Sequence, residues 1–486
     1  MFEKRLPSPI ASSLPIIFLI LSLGYLLVTK GTDAISGGSQ VALLLAALLA
    51  YGISRIFYPC SWRMMKVGMF KSANQIIPAI PILILIAAVS TTWMLGGIVP
   101  SLIYYGLEFL NPSTFLVVTC LICSAISVLT GSSWTTCATI GVAFMGIGTI
   151  MGYNEAWIAG AVISGAYFGD KVSPLSDTTV LASSTTGVKL FDHIKYLMIT
   201  TIPAMTIALV IYAILGASFN AQDSSQSQEL LSHISKVFVI SPWLLIVTVI
   251  TCILIVLRIK VLITLSISAL LGMLSLIFIQ DNILSQISSD SYLVISLARV
   301  LLTSTSLETH NELLNNLVST GGIEGMLNTI YLILSAMIFG GVLLGTGMLS
   351  SITHHCLRKL KGSKSTVSTT VGSGLFMNCC TGDQYLSIII TGNLYKNLYK
   401  KNGLEPRLLS RSLEDSISVT SVLIPWNSCG VTQSTVLGVS TLSYLPFCIF
   451  NICCPLVSIA IVSFGYKIYR PNIASPKLVA EMVTNE

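Results

Sequence analysis

The sequence predicts an all-α polytopic membrane protein made of two inverted-topology repeats, and three observations support this fold class. The chain of 486 residues is 53% hydrophobic and only 9% charged, whereas soluble domains carry roughly 25% charged residues. Several apolar runs are long enough to cross a bilayer core, which takes about 20 helical residues. The chain also resembles itself after a shift of 251 residues, and the charges of corresponding loops then differ systematically.

The apolar runs dictate the secondary structure. Backbone polar groups in lipid find partners only within a helix or a closed barrel, so each spanning run of this length is expected to be helical. No small-residue cleavage site follows the first run, which we therefore expect to be retained rather than removed as a signal peptide. The predicted spanning runs are Ile10–Val28, Ile77–Leu107, Tyr196–Ala217, Val237–Leu257, Val261–Ile279, Leu327–Leu349 and Leu442–Phe464.

The internal repeat is clearest in two polar regions. A gapless shift of 251 residues places TGSSWTTCATIG (130–141) on TGDQYLSIIITG (381–392), with three identities. In the same register PLSDTTVLASSTTGV (174–188) falls on PWNSCGVTQSTVLGV (425–439), with five identities. Because the identities cluster in polar islands between apolar runs, we interpret them as an internal repeat.

Lysine and arginine indicate how the two halves are oriented. The loop Arg55–Lys71 is basic, whereas its counterpart 306–322 contains neither residue type. Segment 145–160 contains neither, whereas its counterpart 396–411 contains five. Cytoplasmic loops carry the excess of these residues, so the two halves are expected to have opposite orientations, as in many secondary transporters.

These patterns divide the chain into four parts. We expect a first transmembrane repeat at 1–216, a linker and connecting helix at 217–257, a second repeat at 258–470 and a cytoplasmic tail at 471–486. Counting every apolar run between 237 and 350 as a crossing gives an even number, but the charge pattern requires an odd one. We therefore expect the short run 291–307, which contains Arg299, not to span the membrane fully.

Each half is interrupted twice by polar residues. The segments 113–129 and 135–150 flank the tip 130–133, and 366–378 and 386–394 flank 381–384. Flanking loops of equal charge character predict that each pair is a re-entrant helical hairpin. The second interruption is a transmembrane helix broken at a proline, at Gly169–Thr179 and at Leu423–Gly430. Non-helical backbone at membrane depth is tolerated where it lines a cavity or is buried in protein.

The stretch GAYFGDKVSPLSDTTVLASS (165–184) concentrates charge in an apolar setting. A charge in a membrane segment costs roughly 2.5–3.5 kcal/mol on insertion scales, so Asp170 and Asp177 indicate a functional site. With Pro174 between them, they are expected to flank an unwound turn. Burial favours the protonated carboxyl and a bound cation favours the ionised one, so a single carboxylate could hold either a proton or a sodium ion.

Structural interpretations of the charged residues remain open beside the functional ones. Asp170 and Lys171 could form an interfacial ion pair, and Asp177 could be a helix N-cap. Asp383 in the second tip is expected to be functional. By contrast, Glu414 and Asp415 are expected to balance Arg411, and Asp192 and His193 to lie at the membrane interface.

Three stretches resemble the NhaC family of sodium–proton antiporters. They are ISGAYFGDKVSPLSDTTVLAS, GSSWTTCATIGVAFMGIG, and TGDQYLSIIITG followed by GLEPRLLSRSLEDS and SVLIPWNSCG. The resemblance covers the chain from about residue 70 to 465, and the GDK-x-SPLSDTT run is its most specific part. It implies a cytoplasmic-membrane antiporter whose dicarboxylate-transporting relatives pair two hairpins with two broken helices.

The resemblance also implies which residues form the site, because such relatives hold sodium and substrate with hairpin tips and unwound helices. The implied residues are Ser132, Ser133, Asp170, Ser173, Asp177, Thr178 and Thr179 in the first half, and Thr381, Asp383, Asn427 and Ser428 in the second. The stretches LASSTTGVKLFDHI and NSCGVTQSTVLGVS depart from the family's pattern. This departure leaves the transported solute open, since some members of the family look like organic-acid or amino-acid exchangers.

The leading functional prediction is a secondary active Na⁺/H⁺ antiporter with a midplane site of carboxylates, hydroxyls and unwound-helix carbonyls. The alternative is a sodium- or proton-coupled transporter or exchanger of a small organic anion or amino acid on the same scaffold. In that alternative Lys171 pairs with a substrate carboxylate, and the hydroxyl-rich segment Ser183–Thr186 lines a wider cavity. A channel is disfavoured because no ring-forming filter is evident, and an enzyme because the chain has neither a Walker loop nor an HExxH pair.

The expected partners follow from this function. Na⁺ and H⁺ are transported ions rather than cofactors, and no cofactor is expected. The chain is expected to lie in the cell inner membrane, in contact with the lipid bilayer and with both termini in the cytoplasm. No nucleic-acid partner is expected, and the sequence leaves a homodimer open.

Overall fold

The computed structural model of the protein describes residues 7–30, 37–58, 60–219, 224–287, 292–307, 315, 318–357 and 362–465. Within these residues the secondary structure is helical apart from one isolated bridge between Thr305 and Thr320. The prediction of an all-α protein is therefore confirmed. The predicted tail at 471–486 lies outside the described residues.

The helices of the first half follow one another with short connections. A π-helical turn at Cys137–Gly141 joins two of them. The helices are Pro9–Lys30, Gly38–Phe57, Trp62–Ile76, Ile80–Leu95, Ile98–Phe109, Phe115–Thr130, Ser133–Thr136, Val142–Ile150, Glu155–Val172, Asp177–Thr186 and Leu190–Ala217.

The second half has the same character. It contains a π-helical turn at Glu414–Ser418 and a 3₁₀ turn at Ser421–Leu423. Its helices are Ser224–Val237, Leu245–Val256, Val261–Phe278, Asp281–Ile287, Leu293–Leu302, Gly322–Gly345, Met348–Leu357, Ser363–Thr381, Gln384–Lys401, Pro406–Leu413, Ser428–Leu437, Thr441–Tyr444 and Ile449–Ser463.

Eight helices of the described part are long and apolar enough to cross a membrane. The number rises to ten if each of two bent helix pairs counts as one span. The chain is thus a multi-pass membrane protein. The helix within 291–307 has only ten residues, Leu293–Leu302. Ten residues extend about 15 Å, half of a bilayer core, which agrees with the expectation that this run does not cross fully.

Three glycines with positive φ recur with the offset seen in the sequence. Three pairs of left-handed glycines are separated by 251 residues, and their φ angles are 66° and 66°, 86° and 63°, and 77° and 70°. A positive φ is readily adopted only by glycine, so these positions mark equivalent turns. The pairs are Gly131 with Gly382, Gly152 with Gly403, and Gly187 with Gly438.

The offset does not extend unchanged into the N-terminal part of each half. Gly38–Phe57 packs against Gly322–Gly345, and Val261–Phe278 packs against Ile80–Leu95 in the other half. By this packing, Gly38–Phe57 and Val261–Phe278 play matching roles, although their starts are fewer than 251 residues apart. The short helices between Asp281 and Leu302 follow Val261–Phe278 and have no counterpart at the same place in the first half.

Candidate functional site

The tip of the first predicted hairpin is a tight turn at residues 130–133. Gly131 ends the helix Phe115–Thr130 with φ 66°, and the Ser132 hydroxyl caps the next helix by accepting from the Thr135 amide at 3.2 Å. The Thr130 hydroxyl accepts a 3.1 Å hydrogen bond from the Ser132 amide. Side chains therefore satisfy the amides that the turn removes from the helical ladder.

The tip of the second predicted hairpin has the same geometry. Gly382 has φ 66°, and the Asp383 carboxylate caps the following helix by accepting from the Leu386 amide at 2.8 Å. The Thr381 hydroxyl accepts from the Asp383 amide at 3.2 Å. A carboxylate thus performs here the capping that a serine performs in the first tip.

The first broken helix stops at Val172 and resumes at Asp177. Ser176, rather than Asp177, is the N-cap, and Asp177 is the first helical residue. The interpretation of Asp177 as a cap is therefore wrong, because the neighbouring hydroxyl takes that position. The expectation that Asp170 and Asp177 flank a turn is confirmed.

Hydroxyl groups hold this break in place. The Thr179 hydroxyl donates to the Lys171 carbonyl at 3.0 Å, which satisfies a carbonyl that the break leaves without its helical partner. The Ser173 hydroxyl donates to the Val128 carbonyl of the first hairpin at 2.8 Å. Both side chains are buried and fix backbone rather than face open space.

The second broken helix runs from Pro406 through the π-helical and 3₁₀ turns and resumes at Ser428. Asn427 is its cap and accepts from the Cys429 amide at 3.1 Å. The Ser428 amide donates to the Gly382 carbonyl at 2.8 Å, and the Ser428 hydroxyl donates to Asp383 at 3.4 Å. The break is thereby joined directly to the second hairpin tip.

Asp170 joins the first broken helix to the first hairpin tip. Its Oδ2 atom accepts from the Ser133 amide at 3.1 Å and from the Ser133 hydroxyl at 2.7 Å. These donors stabilise the ionised form of the carboxylate. The corresponding contact in the second half is made by neutral side chains, since the Ser421 hydroxyl donates to the Gln384 amide oxygen at 3.2 Å.

The two tips and the two breaks enclose a cavity of about 160 Å³. Asp170, Asp177 and Asp383 line it together with Tyr385, whose hydroxyl interacts electrostatically with all three carboxylates. No lysine, arginine or histidine of the described chain lines this cavity. Its wall also includes Thr130, Gly131, Ser132, Trp134, Leu175, Thr178, Gln384 and Ser428.

The structure brings six of the eleven implied site residues to the cavity wall and leaves five behind it. Ser133 supports Asp170, while the others shape the turns and breaks described above. The wall residues are Ser132, Asp170, Asp177, Thr178, Asp383 and Ser428. Those behind the wall are Ser133, Ser173, Thr179, Thr381 and Asn427.

The three carboxylates do not form one chelating cluster. Among the described residues, no three His, Cys, Asp or Glu side chains come close enough together to hold a metal ion. A cation in this cavity would therefore contact fewer carboxylates and complete its shell with hydroxyl, carbonyl or water oxygens. Alkali cations accept such neutral oxygen ligands in transporter sites.

A group of buried charges lies beside the cavity, and sequence reasoning did not predict its arrangement. Lys171 Nζ lies 2.5 Å from Oδ1 of Asp415, and Arg411 Nε lies 3.7 Å from Oδ2 of Asp415. Glu414 is equally buried. The alternative interpretation of Asp170 and Lys171 as an interfacial ion pair is wrong, because Lys171 turns into the protein and pairs with Asp415 of the second half.

His193 lies near the start of the helix Leu190–Ala217, and its expected position at the membrane interface stays a prediction. Its side chain is fully buried, and neither ring nitrogen has a hydrogen-bond partner within the described chain. His193 interacts electrostatically with Lys171 and Asp415. Asp192 is exposed, in agreement with a position at the surface.

Two further spaces lie near the cavity. A void of about 160 Å³ shares Thr130, Leu175 and Val261 with it and reaches Arg258 and Lys260. A vestibule of about 1040 Å³ lies beyond the second broken helix and includes residues of both halves. Pro425 and Val431 line the vestibule, whereas Ser428 lines the cavity. One turn of chain therefore separates the two spaces.

Comparison with known proteins gives a consistent result. Residues 5–186 and 165–466 match the model of the Na⁺/H⁺ antiporter family. The Na⁺/H⁺ antiporter NhaC of Alkalihalophilus pseudofirmus is 35% identical over 88% of this chain and 90% of its own length. The malate-2H⁺/Na⁺-lactate antiporter of Bacillus subtilis is 34% identical over 89% and 90%. The arginine/ornithine antiporter ArcD of Halobacterium salinarum is 33% identical over 97% and 94%.

Proposed function

The chain belongs to the Na⁺/H⁺ antiporter family, and on this premise we propose that it is a secondary active transporter that exchanges Na⁺ for H⁺ through the cavity between the two tips and the two breaks. Na⁺ and H⁺ compete there for carboxylates. Loading the cavity with sodium displaces protons, and protonation displaces sodium, so each ion leaves only when the other can replace it.

The observation that carries this proposal is the charge of the cavity. Three carboxylates line it, and no basic side chain of the described residues offsets them there. Ionised carboxylates away from bulk water are costly unless a cation or a proton accompanies them. A cation and the proton are therefore the two partners that this acidic lining favours.

We further propose that the two halves are inverted repeats, each with a re-entrant hairpin and a broken helix. The equal turns at Gly131 and Gly382 and the constant offset of the breaks support this arrangement. The division into 1–216, 217–257 and 258–470 stays a prediction. The matching packing of Gly38–Phe57 and Val261–Phe278 favours an earlier start of the second repeat, near Pro242.

In the proposed orientation, the void and the vestibule face opposite sides of the membrane, with the cavity between them. Arg258 and Lys260 belong to a basic loop that we assign to the cytoplasm of an inner membrane, together with both termini. The void that reaches these residues then leads from the cavity to the cytoplasm. The vestibule opens to the other side, and the turn Pro425–Val431 closes it from the cavity.

A second candidate function is exchange of a small organic anion or amino acid, which is favoured by the relatives named for malate, lactate, arginine and ornithine. Two features that this second function would require are not seen among the described residues. Lys171 pairs with Asp415 instead of facing the cavity, and no residue of Ser183–Thr186 lines the cavity. We therefore place Na⁺/H⁺ exchange first.

Reconstitution in liposomes tests the choice between these functions. Sodium and proton fluxes would be measured first with inorganic ions alone, and then with malate, lactate, arginine and ornithine supplied. Full exchange without an organic solute is the expected result, and Asp170→Asn vesicles with equal insertion serve as the control. Sodium movement that starts only when an organic solute is present would overturn the proposal in favour of the second candidate.

A further inference from the structure

Glu414 is a buried ionisable group to which the function proposed above assigns no role. Its side chain is fully buried at the start of the π-helical turn Glu414–Ser418. Within the described residues, neither carboxylate oxygen makes a hydrogen bond of good geometry, although the Ser418 hydroxyl interacts with it. Single-turn π-helices inside α-helices frequently mark functional positions.

Lys171, Arg411, Asp415 and Glu414 balance one another when Glu414 is ionised, and an ionised Asp170 adds one further negative charge unless a cation offsets it. Lys171 and Arg411 are two buried cations, and Asp415 is the carboxylate that contacts both. Asp415 also accepts from the Thr200 hydroxyl at 2.9 Å. An ionised Glu414 brings the group to zero net charge, whereas a protonated Glu414 leaves one positive charge in excess. The protonation of Glu414 thus sets the charge of the whole group.

Groups from several neighbouring elements face this set of charges. Glu414 itself interacts electrostatically with Lys171, Asp170 and Asp415. The turn Glu414–Ser418 is packed against the helices of the second hairpin, against the helix Asp177–Thr186 that follows the first break, and against the final helix Ile449–Ser463. The further titratable groups that face the ion pairs are His193 and Tyr196 from the helix Leu190–Ala217, Tyr399 from the second hairpin and Cys454 from the final helix.

The geometry links this group to the cavity through two adjacent residues. Asp170 faces the cavity, and Lys171, the next residue, contacts Asp415 across the interface between the two halves. A sodium ion beside Asp170 offsets that carboxylate's charge, so Asp170 no longer repels an ionised Glu414. Sodium binding therefore favours loss of the Glu414 proton, and protonation of Glu414 weakens sodium binding by the same factor.

We propose that Glu414 is a second proton site, separate from the sodium cavity, and that it releases its proton when sodium binds beside Asp170. This inference rests on the proposed function, since it needs sodium in the cavity. In this arrangement Glu414 carries a proton that does not compete with sodium for the carboxylate oxygens of the cavity. Lys171, Arg411 and Asp415 are positioning residues, because their charges set the electrostatic potential at the Glu414 carboxyl group.

The test measures binding of radioactive ²²Na⁺ to the purified full chain at several pH values, together with the protons released in weak buffer. Glu414→Gln imitates the protonated state at every pH. At high pH this variant should bind sodium about tenfold more weakly than wild type, within the usual range of such couplings, and the difference should vanish as the pH falls. It should also release fewer protons per sodium ion bound.

Two variants control this result. Glu414→Asp retains a titratable group and should restore proton release, and Glu108→Gln, which changes an exposed glutamate, should behave as wild type. Equal pH dependence of sodium binding in wild type and Glu414→Gln would overturn the inference while leaving the sodium cavity intact. Absence of sodium binding in wild type would instead overturn the proposed function.

A measurement on the wild-type chain does not depend on the folding of any variant. Infrared difference spectra with and without sodium report carboxyl groups that lose a proton, and isotopic labelling distinguishes glutamate from aspartate. A sodium-induced loss of a protonated carboxyl band that shifts with labelled glutamate is expected. A band that shifts only with labelled aspartate would contradict the assignment.

Discussion

Ser133 donates two hydrogen bonds to one oxygen of Asp170, from its amide at 3.1 Å and from its hydroxyl at 2.7 Å. The contact joins the first hairpin tip to the first broken helix at the edge of the cavity. A movement of the tip away from the break would remove both donors from the carboxylate. The charge state of Asp170 and the position of the tip are therefore coupled.

Removing one of these donors should change the pH dependence of exchange. Ser133→Ala keeps the amide donor and loses the hydroxyl, so the ionised form of Asp170 loses part of its stabilisation. A hydrogen bond to a charged group contributes about 1.5–3 kcal/mol, and each pH unit corresponds to about 1.4 kcal/mol. The pH profile of sodium–proton exchange should move by about one to two units to higher pH. Ser184→Ala, which removes an exposed hydroxyl bonded only to its own helix, is the matched control.

Removing the carboxylates of the first break should stop exchange without unfolding the protein. Asp170→Asn and Asp177→Asn keep the shape of each side chain and remove its titration. Vesicles with each variant inserted at normal levels should show at least about tenfold slower sodium-driven proton flux, as expected for loss of a charged contact. Rates near wild type in both variants would show that the cavity is not the ion site.

Two substitutions of Asp383 should distinguish its role as a helix cap from a role in ion binding. Asparagine caps helices about as well as aspartate, whereas alanine costs about 1 kcal/mol. Asp383→Asn should therefore unfold at nearly the wild-type temperature, and Asp383→Ala should unfold earlier. For an antiporter, Asp383→Asn should change the ion stoichiometry or the pH profile. For an organic-anion transporter, the same variant should weaken sodium dependence and leave solute affinity at saturating sodium nearly intact.

Alanine substitution at two glycines with positive φ should lower the unfolding temperature by different amounts. A Cβ atom at Gly131 would lie 2.6 Å from the Leu175 backbone carbon, whereas one at Gly187 would meet open space. Both positions carry the strain of a positive φ, which costs roughly 1–2 kcal/mol for a residue with a side chain. Gly131→Ala should lower the unfolding temperature clearly more than Gly187→Ala and should also impair exchange. Equal effects would mean that the tip does not pack against the break in the membrane.

Opposite orientation of the halves can be tested by thiol labelling. The loops around Glu155 and Lys401 correspond across the offset of 251 residues, and both side chains are exposed. Single cysteines at these positions in a cysteine-depleted background should react with an impermeant reagent from opposite faces of the membrane. Reaction from one face only would contradict the inverted arrangement. The related position 313, paired with Trp62, lies outside the described residues.

The sequence was most informative where a residue type is tied to a backbone conformation. Gly131 and Gly382 predicted the two tips, and the prolines at 174 and 425 predicted the two breaks, because few residues adopt these conformations. The extent of the repeat was harder to predict. Apolar helices of any register align equally well, so the roles of Gly38–Phe57 and Val261–Phe278 emerged only from their packing.

The buried ion pairs could not be predicted from spacing. Lys171 and Asp415 are 244 residues apart, and no local pattern brings them together. A signal was nevertheless present, because Arg411, Glu414 and Asp415 follow one another closely shortly before the predicted break Leu423–Gly430. Treating them as balancing one another explained the Arg411–Asp415 contact and overlooked Lys171. Which of the eleven site residues line the cavity, and which fix the backbone behind it, likewise depends on which way each side chain points.

The single turn Pro425–Val431 between the vestibule and the cavity has an electrical consequence. Water-filled spaces conduct, so a membrane voltage falls mainly across the thin barrier that separates them rather than across the whole bilayer. Moving one elementary charge through the full voltage involves about 2.3 kcal/mol per 100 mV. An ion that passes this turn would experience most of that energy within a few ångströms. In the proposed orientation, the layer that insulates the two spaces from each other would be much thinner than the membrane, and a substitution that opens the turn should appear first as a leak current.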